Sequence, residues 1–293
     1  MKLLKVLIIT TIMVLSFTML GLSHEAFASP LAATAPSLGA AGVYSVLGAL
    51  SAASANTTTI AGNLGLSPGM DTSITGPWVV GGATYFGATG PAANAQSSAS
   101  GAYTNLANQI SDGLWSGATE PLPGVWSSGS SETFAGTLTL NGSYTDVWVF
   151  QIPASLTFSG SVVMGGEAQA CNVFWQVGES ATIASGTSFV GTLIAENDIS
   201  LVSGATVSGR IISLVGAITV DNNTISMPPC SSAPVAQVDS TLVPTVSGLP
   251  ASGGAPLRNE ILPLGLALLF GGLSIVVSVL IVRALRRDYR LKK

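Results

Sequence analysis

The chain has 293 residues, with 10 Lys or Arg against 14 Asp or Glu, a formal net charge of −4, and one histidine, His24. Between Lys5 and Arg258 the only basic side chain is Arg210, which excludes a nucleic-acid partner because phosphate binding needs clustered Lys and Arg. Low charge alone would suit a membrane protein, but through the middle of the chain apolar residues alternate with Ser, Thr and Gly and do not run on.

Lys2 and Lys5 precede an apolar run, 6–22, and then Ala26-Phe27-Ala28. A basic start, a short apolar stretch and an A-x-A site read as a secretory signal peptide over 1–28, the alternative being an uncleaved signal anchor. Cleavage after Ala28 removes His24 and leaves a mature chain without histidine. Residues 57–66 read as a β piece in which Ile60, Gly62 and Leu64 share a face, closed by Pro68-Gly69. From Pro91 to Asp112 the apolar spacing changes to i, i+3, i+4 through Ala92, Ala95, Ala99, Ala102, Tyr103, Leu106 and Ile110. That predicts one helix of about five or six turns, with Pro91 at its first position and Gly113 at its end, lying flat along the β body. Short strands follow: ETFAGTLTL, a turn at Asn141-Gly142, then DVWVFQI, ASLTFSG and NVFWQV.

Residues 181–221 are the most regular stretch. Sliding it along itself until Thr182 meets Ser200 aligns TIASGTSF with SLVSGATV and FVGTLI with VSGRII, and a one-place adjustment aligns ISLV with ITVD. A repeat this short cannot bury a face alone, so its copies must stack as a β-solenoid. The following 228–254 stretch is rich in Pro, Ser, Val and Thr without periodicity and reads as a linker. Residues 261–282 form an uncharged apolar run, ~33 Å as a helix. Arg283, Arg286, Arg287, Arg290, Lys292 and Lys293 come directly after it. By the positive-inside rule this predicts a single membrane span with a cytoplasmic tail at 283–293. Leu249-Pro250-Ala251-Ser252-Gly253 resembles the LPxTG sorting signal of sortase substrates, with Ser252 in place of Thr, so wall attachment by a sortase and a retained membrane anchor both stand open. The predicted division is a body at 29–230, a linker at 231–260, the span and the tail.

The chemistry available is narrow. Cys171 and Cys230 bracket the repeat in a chain routed to an oxidising compartment and read as a disulfide, stabilising by about 4 kcal/mol on the chain-entropy model. Without histidine, neither Cys-His catalysis nor ordinary zinc ligation can be assembled. A polyuronate lyase lacks its basic residues, and a glycosidase would depend on Glu196 and Asp198, which read better as a solvated turn. No nucleophile elbow, phosphate-binding loop or calcium-binding solenoid repeat is present. The expectation is a non-enzyme with no cofactor, no metal and no small-molecule substrate.

Strand alternation gives two inward columns, Ile183/Leu201/Val220 and Ala181/Ile199/Ile218. Pointing outward are Thr182, Ser200 and Thr219, with Ala184, Val202 and Ala217 beside them. A second, bulkier set, Ser188, Val190, Thr192 and Ile194 over Thr206, Ser208, Arg210 and Ile212, is the better candidate to lie under the helix or a loop. The first set makes a rigid grid, half methyl and half hydroxyl, too weakly polar for an ionic ligand and suited to a lattice-like partner such as ice. Thr on an outward strand also follows from β-propensity and solubility alone.

The blocks LGAAGVYSVLGALSAAS, TTTIAGNLGLSPG, AYTNLANQI, LPGVW, GTLTLNG, VWVFQI, AQACNVFWQVG and TSFVGTLIAENDISLVSGATVSGRIISLVGAITVDNNTI, in that order, resemble the widespread microbial ice-binding protein family of the DUF3494 type. The resemblance covers about Leu38 to Cys230. It implies an all-β fold with one long helix: a discontinuous right-handed β-solenoid of triangular section, the helix alongside, binding ice through a flat sheet face. That family has no fixed ice-contact motif, so Thr182, Ala184, Ser200, Val202, Ala217 and Thr219 remain a geometric expectation. The predicted protein is a monomer displayed at the cell surface with ice as its partner. The alternative is an adhesin of the same fold that binds carbohydrate or protein.

Overall fold

The computed structural model describes residues 32–227 and Cys230. The expected signal peptide, sorting-like motif, 261–282 span and basic tail lie outside the described residues. Among the described residues, no helix is long and apolar enough to cross a membrane.

Every strand pairing is parallel, and each turn of chain contributes to three faces, which makes the body a β-solenoid. The winding is discontinuous. The chain enters at Tyr44–Gly48 and Ala52–Ser54, and winds outward through Thr58–Ile60, Asn63–Leu66 and Ile74–Thr75 to an end coil at Trp78–Val80 and Thr84–Phe86. A helix, α1 (Pro91–Ala107), follows, and the chain winds again from Gly113–Leu114 up to Thr224–Ser226. There the two windings meet. Thr224–Ser226 pairs with Thr206–Ser213 on one side and Thr58–Ile60 on the other, and the coil it begins is completed by Tyr44–Gly48 and Ala52–Ser54. One coil is therefore closed between distant parts of the chain: the Asn223 N–H donates to the Thr58 hydroxyl across a separation of 165 residues. The segment 71–91, which has no place in the sequence pattern, is the outermost coil.

The coils are not all one size, and the core fills them accordingly. The outward residues Thr133, Thr157, Thr182, Ser200 and Thr219 of successive coils are 24, 25, 18 and 19 residues apart. The two larger coils carry insertions at one corner, 143–147 and 167–172, and enclose aromatic rings: Phe134 stacks on Phe158 at 5.0 Å and Phe150 on Trp175 at 4.2 Å. Trp115 and Phe189 complete the cluster. The smaller coils close mostly over aliphatic side chains, Ile183, Leu201, Val207, Ile211, Val220 and Ile225, with Phe189 packed against Phe158 of the larger coils, because a shorter perimeter leaves less room for rings at native packing density.

Glycines turn the corners. Ser188–Ala195 and Thr206–Ser213 each run through two faces, bending at Gly191 (φ 110°) and Gly209, which stack so closely that a Cβ on Gly209 would strike the carbonyl of Gly191. Gly136 (φ 115°) similarly divides ETFAGTLTL into Glu132–Phe134 and Thr137–Gly142 on different faces. Asn141-Gly142 is not a turn. It ends the second of these strands, paired with Gly165 and Gly166, because a parallel coil contains no hairpins. Residues 57–66 likewise break at Ala61-Gly62 into two strands on neighbouring faces, with Ile60 and Leu64 both inward.

Helix α1 starts as expected, with Pro91 in its first turn, but ends at Ala107, before Gly113, and Ile110 is 72% exposed. The earlier stop is fixed by tertiary caps. The Gln151 side-chain amide donates to the carbonyls of Leu106 (2.8 Å) and Gln109 (2.9 Å), and Gln109 and Thr34 exchange two hydrogen bonds. Ala95, Ala99, Ala102 and Leu106 pack on Leu47, Val149, Phe174, Ile194 and Ile212, so α1 covers one whole face. Gln96 fastens it further by donating to the carbonyl of Ser213 at 2.7 Å.

Candidate functional site

Three faces compete for a partner. The first lies beneath α1. The second carries Thr137, Ser161, Ser188, Thr206, Thr224 and Thr59 in one outward column, but its neighbouring column is obstructed. There the 167–172 insertion packs against Ser188–Ala195, and Val190 is only 8% exposed. The third face, seven strands from Glu132–Phe134 through Leu156–Phe158, Ala181–Ile183, Ile199–Leu201, Ile218–Val220 and Ala52–Ser54 to Ile74–Thr75, has nothing over it among the described residues.

Its central column is Thr133, Thr157, Thr182, Ser200, Thr219, Ala53 and Thr75, in register across all seven rungs. The residues on either side of each bury their side chains: Phe134, Phe158, Ile183, Leu201 and Val220 on one side, Leu156, Ala181, Ile199, Ile218 and Ala52 on the other. Alternation then turns two flanking columns outward as well. One flank is Ser131, Ser155, Ser180, Asp198, Ala217, Ser51 and Ser73; the other is Ala135, Ser159, Ala184, Val202, Asp221 and Ala55. The ladder continues into the flanks through backbone bonds such as Ile199 N to Ala217 O (2.9 Å) and Val202 N to Ile183 O (2.8 Å).

The six expected residues all lie on this one face. Thr182, Ser200 and Thr219 are three of the central seven. Ala184 and Val202 share a flank, but Ala217 belongs to the opposite one, above Asp198, and the position above Val202 is Asp221. The mismatch comes from the extra residue in the later repeat, which is absorbed at the corner 214–217. The second outward set also divides at Gly191 and Gly209. Thr192, Ile194 and Ile212 are buried on the α1 side, where the Arg210 guanidinium donates to the Gly42 carbonyl at 2.9 Å. Ser188 and Thr206 stay exposed on the second face. Sequence comparison within 181–221 misses Thr133, Thr157, Ala53 and Thr75, because insertions and the break in the winding hide the repeat. A signal is present all the same: Ser-x-Thr recurs at Ser73, Ser131, Ser155 and Ser180.

The few charges near the face are tied down. Asp198 accepts the Ala217 N–H at 2.7 Å, and Asp221 accepts from the Asn56 amide at 2.6 Å. Glu196-Asn197-Asp198 forms a corner, as expected. Glu132 points inward at the first rung, and burial pushes its carboxyl above the ordinary carboxylate range. One edge of the face is stitched by Asn223, whose amide donates to the carbonyls of Val202 (2.9 Å) and Ala205 (3.2 Å) while its oxygen accepts the Asp221 N–H. Cys171 and Cys230 are joined, with Cα atoms 5.8 Å apart. Among the described residues no three His, Cys, Asp or Glu side chains gather as a metal site.

The sequence profile of the Ice-binding-like family matches residues 46–226. The chain belongs to that family. Among Ice-binding-like relatives, an ice-binding protein from Nostoc sp. (strain HG1) is 36% identical over 230 residues, spanning 74% of this chain and 85% of the relative. The crystal structure of an ice-binding protein from an Antarctic biological consortium superposes with a TM-score of 0.65 at 32% identity, covering 69% of this chain and 95% of that one. The ice-binding protein from the Antarctic ascomycete Antarctomyces psychrotrophicus gives 0.62 at 30% identity, covering 67% and 100%.

Proposed function

We propose that this protein is a cell-surface ice-binding protein that adsorbs to ice through the seven-rung Thr face. The observation that carries the reading is the face itself, in a chain of the Ice-binding-like family: three columns of small side chains, held in register by a continuous parallel ladder and covered by no other described element. At ~4.8 Å between rungs and ~6.5–7 Å between columns, the grid measures about 29 by 13 Å. Methyl groups of Thr, Ala and Val favour leaving bulk water, while hydroxyls at regular spacing can bond to ordered water. Because the strands are fixed by a packed core before any contact, adsorption carries little ordering cost. The absence of aromatic side chains from all three columns disfavours the carbohydrate-binding adhesin, which would use ring faces as sugar platforms.

The signal peptide at 1–28 and the 261–282 span with its basic tail support export and retention at the membrane, so that the body holds a cell to ice or restrains ice growth near it. The sorting-like motif offers the other route, cleavage after Ser252 and attachment to the wall. Two measurements test the reading. The purified full chain in detergent should enter a growing ice front and shape single crystals, and exclusion of the folded protein from ice would overturn it. Mass spectrometry of the cell-associated protein should find peptides of the 283–293 tail for the membrane anchor, or a C-terminus at Ser252 for the wall.

A further inference from the structure

The two ends of the solenoid are finished differently. At the first-rung end Trp115 plugs the coil, fully buried against Phe134 and Phe150, and its Nε1–H donates to the Ala118 carbonyl at 3.0 Å. Glu132 points inward at the same end, and an inward charge is one of the devices that keep a sheet edge from pairing with another chain. The outermost coil at the other end has neither. Its strands Ile74–Thr75, Trp78–Val80 and Thr84–Phe86 pair below with Ala52–Ser54, Thr58–Ile60 and Asn63–Leu66 and, among the described residues, with nothing above. No residue from Asp71 to Gly90 is buried. Phe86, in register with the fully buried Leu66, is 47% exposed, and Ile74, Trp78 and Val80 stay half-buried at the open end of the core. Asp71 is the one charged residue between Ser67 and Gly90.

The free edge is laid out for antiparallel pairing with its own copy. The Thr58 N–H donates to the Pro77 carbonyl and the Gly81 N–H to the Ile60 carbonyl, so alternation leaves the backbone groups of Trp78 and Val80 facing off the end. Bonds from the Leu64 N–H to the Ala83 carbonyl and from the Gly87 N–H to the Leu66 carbonyl leave Thr84 and Phe86 facing the same way. A twofold axis perpendicular to the solenoid turns a three-faced coil onto itself, and one such axis passes through each face. Only the axis through the Thr face sets Trp78–Val80 against the equally long Thr84–Phe86 of the other copy, on both sides; the others set the two-residue Ile74–Thr75 against a three-residue strand. In that register Trp78 meets Phe86 of the other copy and Val80 meets Thr84, both as hydrogen-bonded pairs. Thr75 lies opposite itself, and the two Asp71 side chains go to opposite corners.

We propose that two copies of this protein join end to end through the 71–90 coil, in place of the monomer expected from the sequence. That coil supplies about as many residues as one side of a standard interface, roughly 20–30. The contact uses the same surface on both copies, so it closes at two, and the plugged first-rung ends do not extend it into a filament. Because the axis passes through the Thr face, the two faces lie in one plane. The central column then runs from Thr75 of one copy to Thr75 of the other without a break, doubling the rungs offered to ice. That consequence rests on the ice-binding reading above; the pairing itself does not.

Sedimentation equilibrium of the full chain in density-matched detergent should give twice the chain mass. Phe86→Lys puts a charge on the open end at an exposed side chain and should sediment as a single chain, with circular dichroism verifying its fold. Cross-linking locates the axis. A non-hydrogen-bonded antiparallel pair holds its Cα atoms ~4.5 Å apart, within disulfide reach, so full-length Thr75→Cys should form a covalent dimer on mild oxidation. Thr133→Cys, at the other end of the same column, and Val79→Cys, on the second face of the end coil, should stay single. A parent that sediments as one chain would overturn the proposal, as would a dimer that Phe86→Lys leaves intact. Cross-linking through Thr133→Cys or Val79→Cys and not through Thr75→Cys would overturn it too. None of these readouts involves ice, so a failure of ice adsorption stays separate.

Discussion

Replacing Ser200 by Tyr places a phenol at the fourth of seven rungs, the centre of the grid. The ring stands above the plane of hydroxyls and methyls by on the order of 5 Å, one rung spacing, and holds a flat partner away from its own rung and both neighbours, Thr182 and Thr219. Each rung of three columns covers roughly 65 Å², about half of it apolar, so at ~25 cal/mol per Å² a lost rung removes about 0.8 kcal/mol. Three rungs remove about 2.4 kcal/mol, which lowers the equilibrium adsorption constant by about 50-fold. Folding should be unaffected within about 0.5 kcal/mol, since the side chain points outward and Tyr suits a strand. Fluorescently labelled full chain on single-crystal ice gives the adsorption, and a thermal melt gives the stability. Thr206→Tyr, exposed on the second face, is the control and should adsorb as the parent does. If Ser200→Tyr adsorbs normally, or Thr206→Tyr loses as much, the face has been assigned wrongly. Thr192 cannot serve as a control because it is buried under α1.

Phe158→Ala removes a fully buried ring that stacks on Phe134 and meets Trp175 and Phe189 edge-on, and should destabilise by about 3–5 kcal/mol in denaturant unfolding. Asn223→Ala leaves the Asp221 N–H and the carbonyls of Val202 and Ala205 without their partner; the expected loss is ~2–3 kcal/mol, seen as a lower denaturation midpoint. Glu132→Gln tests pH dependence: because the folded carboxyl is raised by burial, the group favours the fold below its unfolded pKa, and that contribution is lost as pH rises through the folded value. The variant should therefore melt above the parent at neutral pH and with it in acid, below the unfolded pKa.

Much of this architecture is legible in local pattern. The short repeat announces stacking, alternation in Ala181–Ile183, Ile199–Leu201 and Ile218–Val220 gives the correct inward columns, and the i, i+3, i+4 alanines give the buried side of α1. Period-two alternation, however, is blind to corners. Leu138 and Phe134 are both inward but on different faces, and Val190 and Ile194 hold like positions in the alternation yet join different hydrophobic clusters on the two sides of Gly191, because a bend that preserves the alternation leaves no mark on it. The end of α1 is hidden for a different reason, since the cap on Leu106 is a glutamine side chain 45 residues away.

Residue order was thus enough for the helix, most of the strands, the solenoid class and the choice of which residues of the repeat turn outward, since those depend on backbone geometry repeated every two residues and every coil. It was also enough to show that Arg210 is the one Lys or Arg between Lys5 and Arg258. Which outward surface is free, and how long it is, depended on the folded chain. α1 covers one face and the 167–172 insertion interrupts another. The third grows from three rungs to seven because the N-terminal winding closes the coil that Thr224–Ser226 begins and because larger early coils stay in register despite their insertions. Those are contacts between segments far apart in the chain, fixed by packing and backbone pairing and not by any local preference.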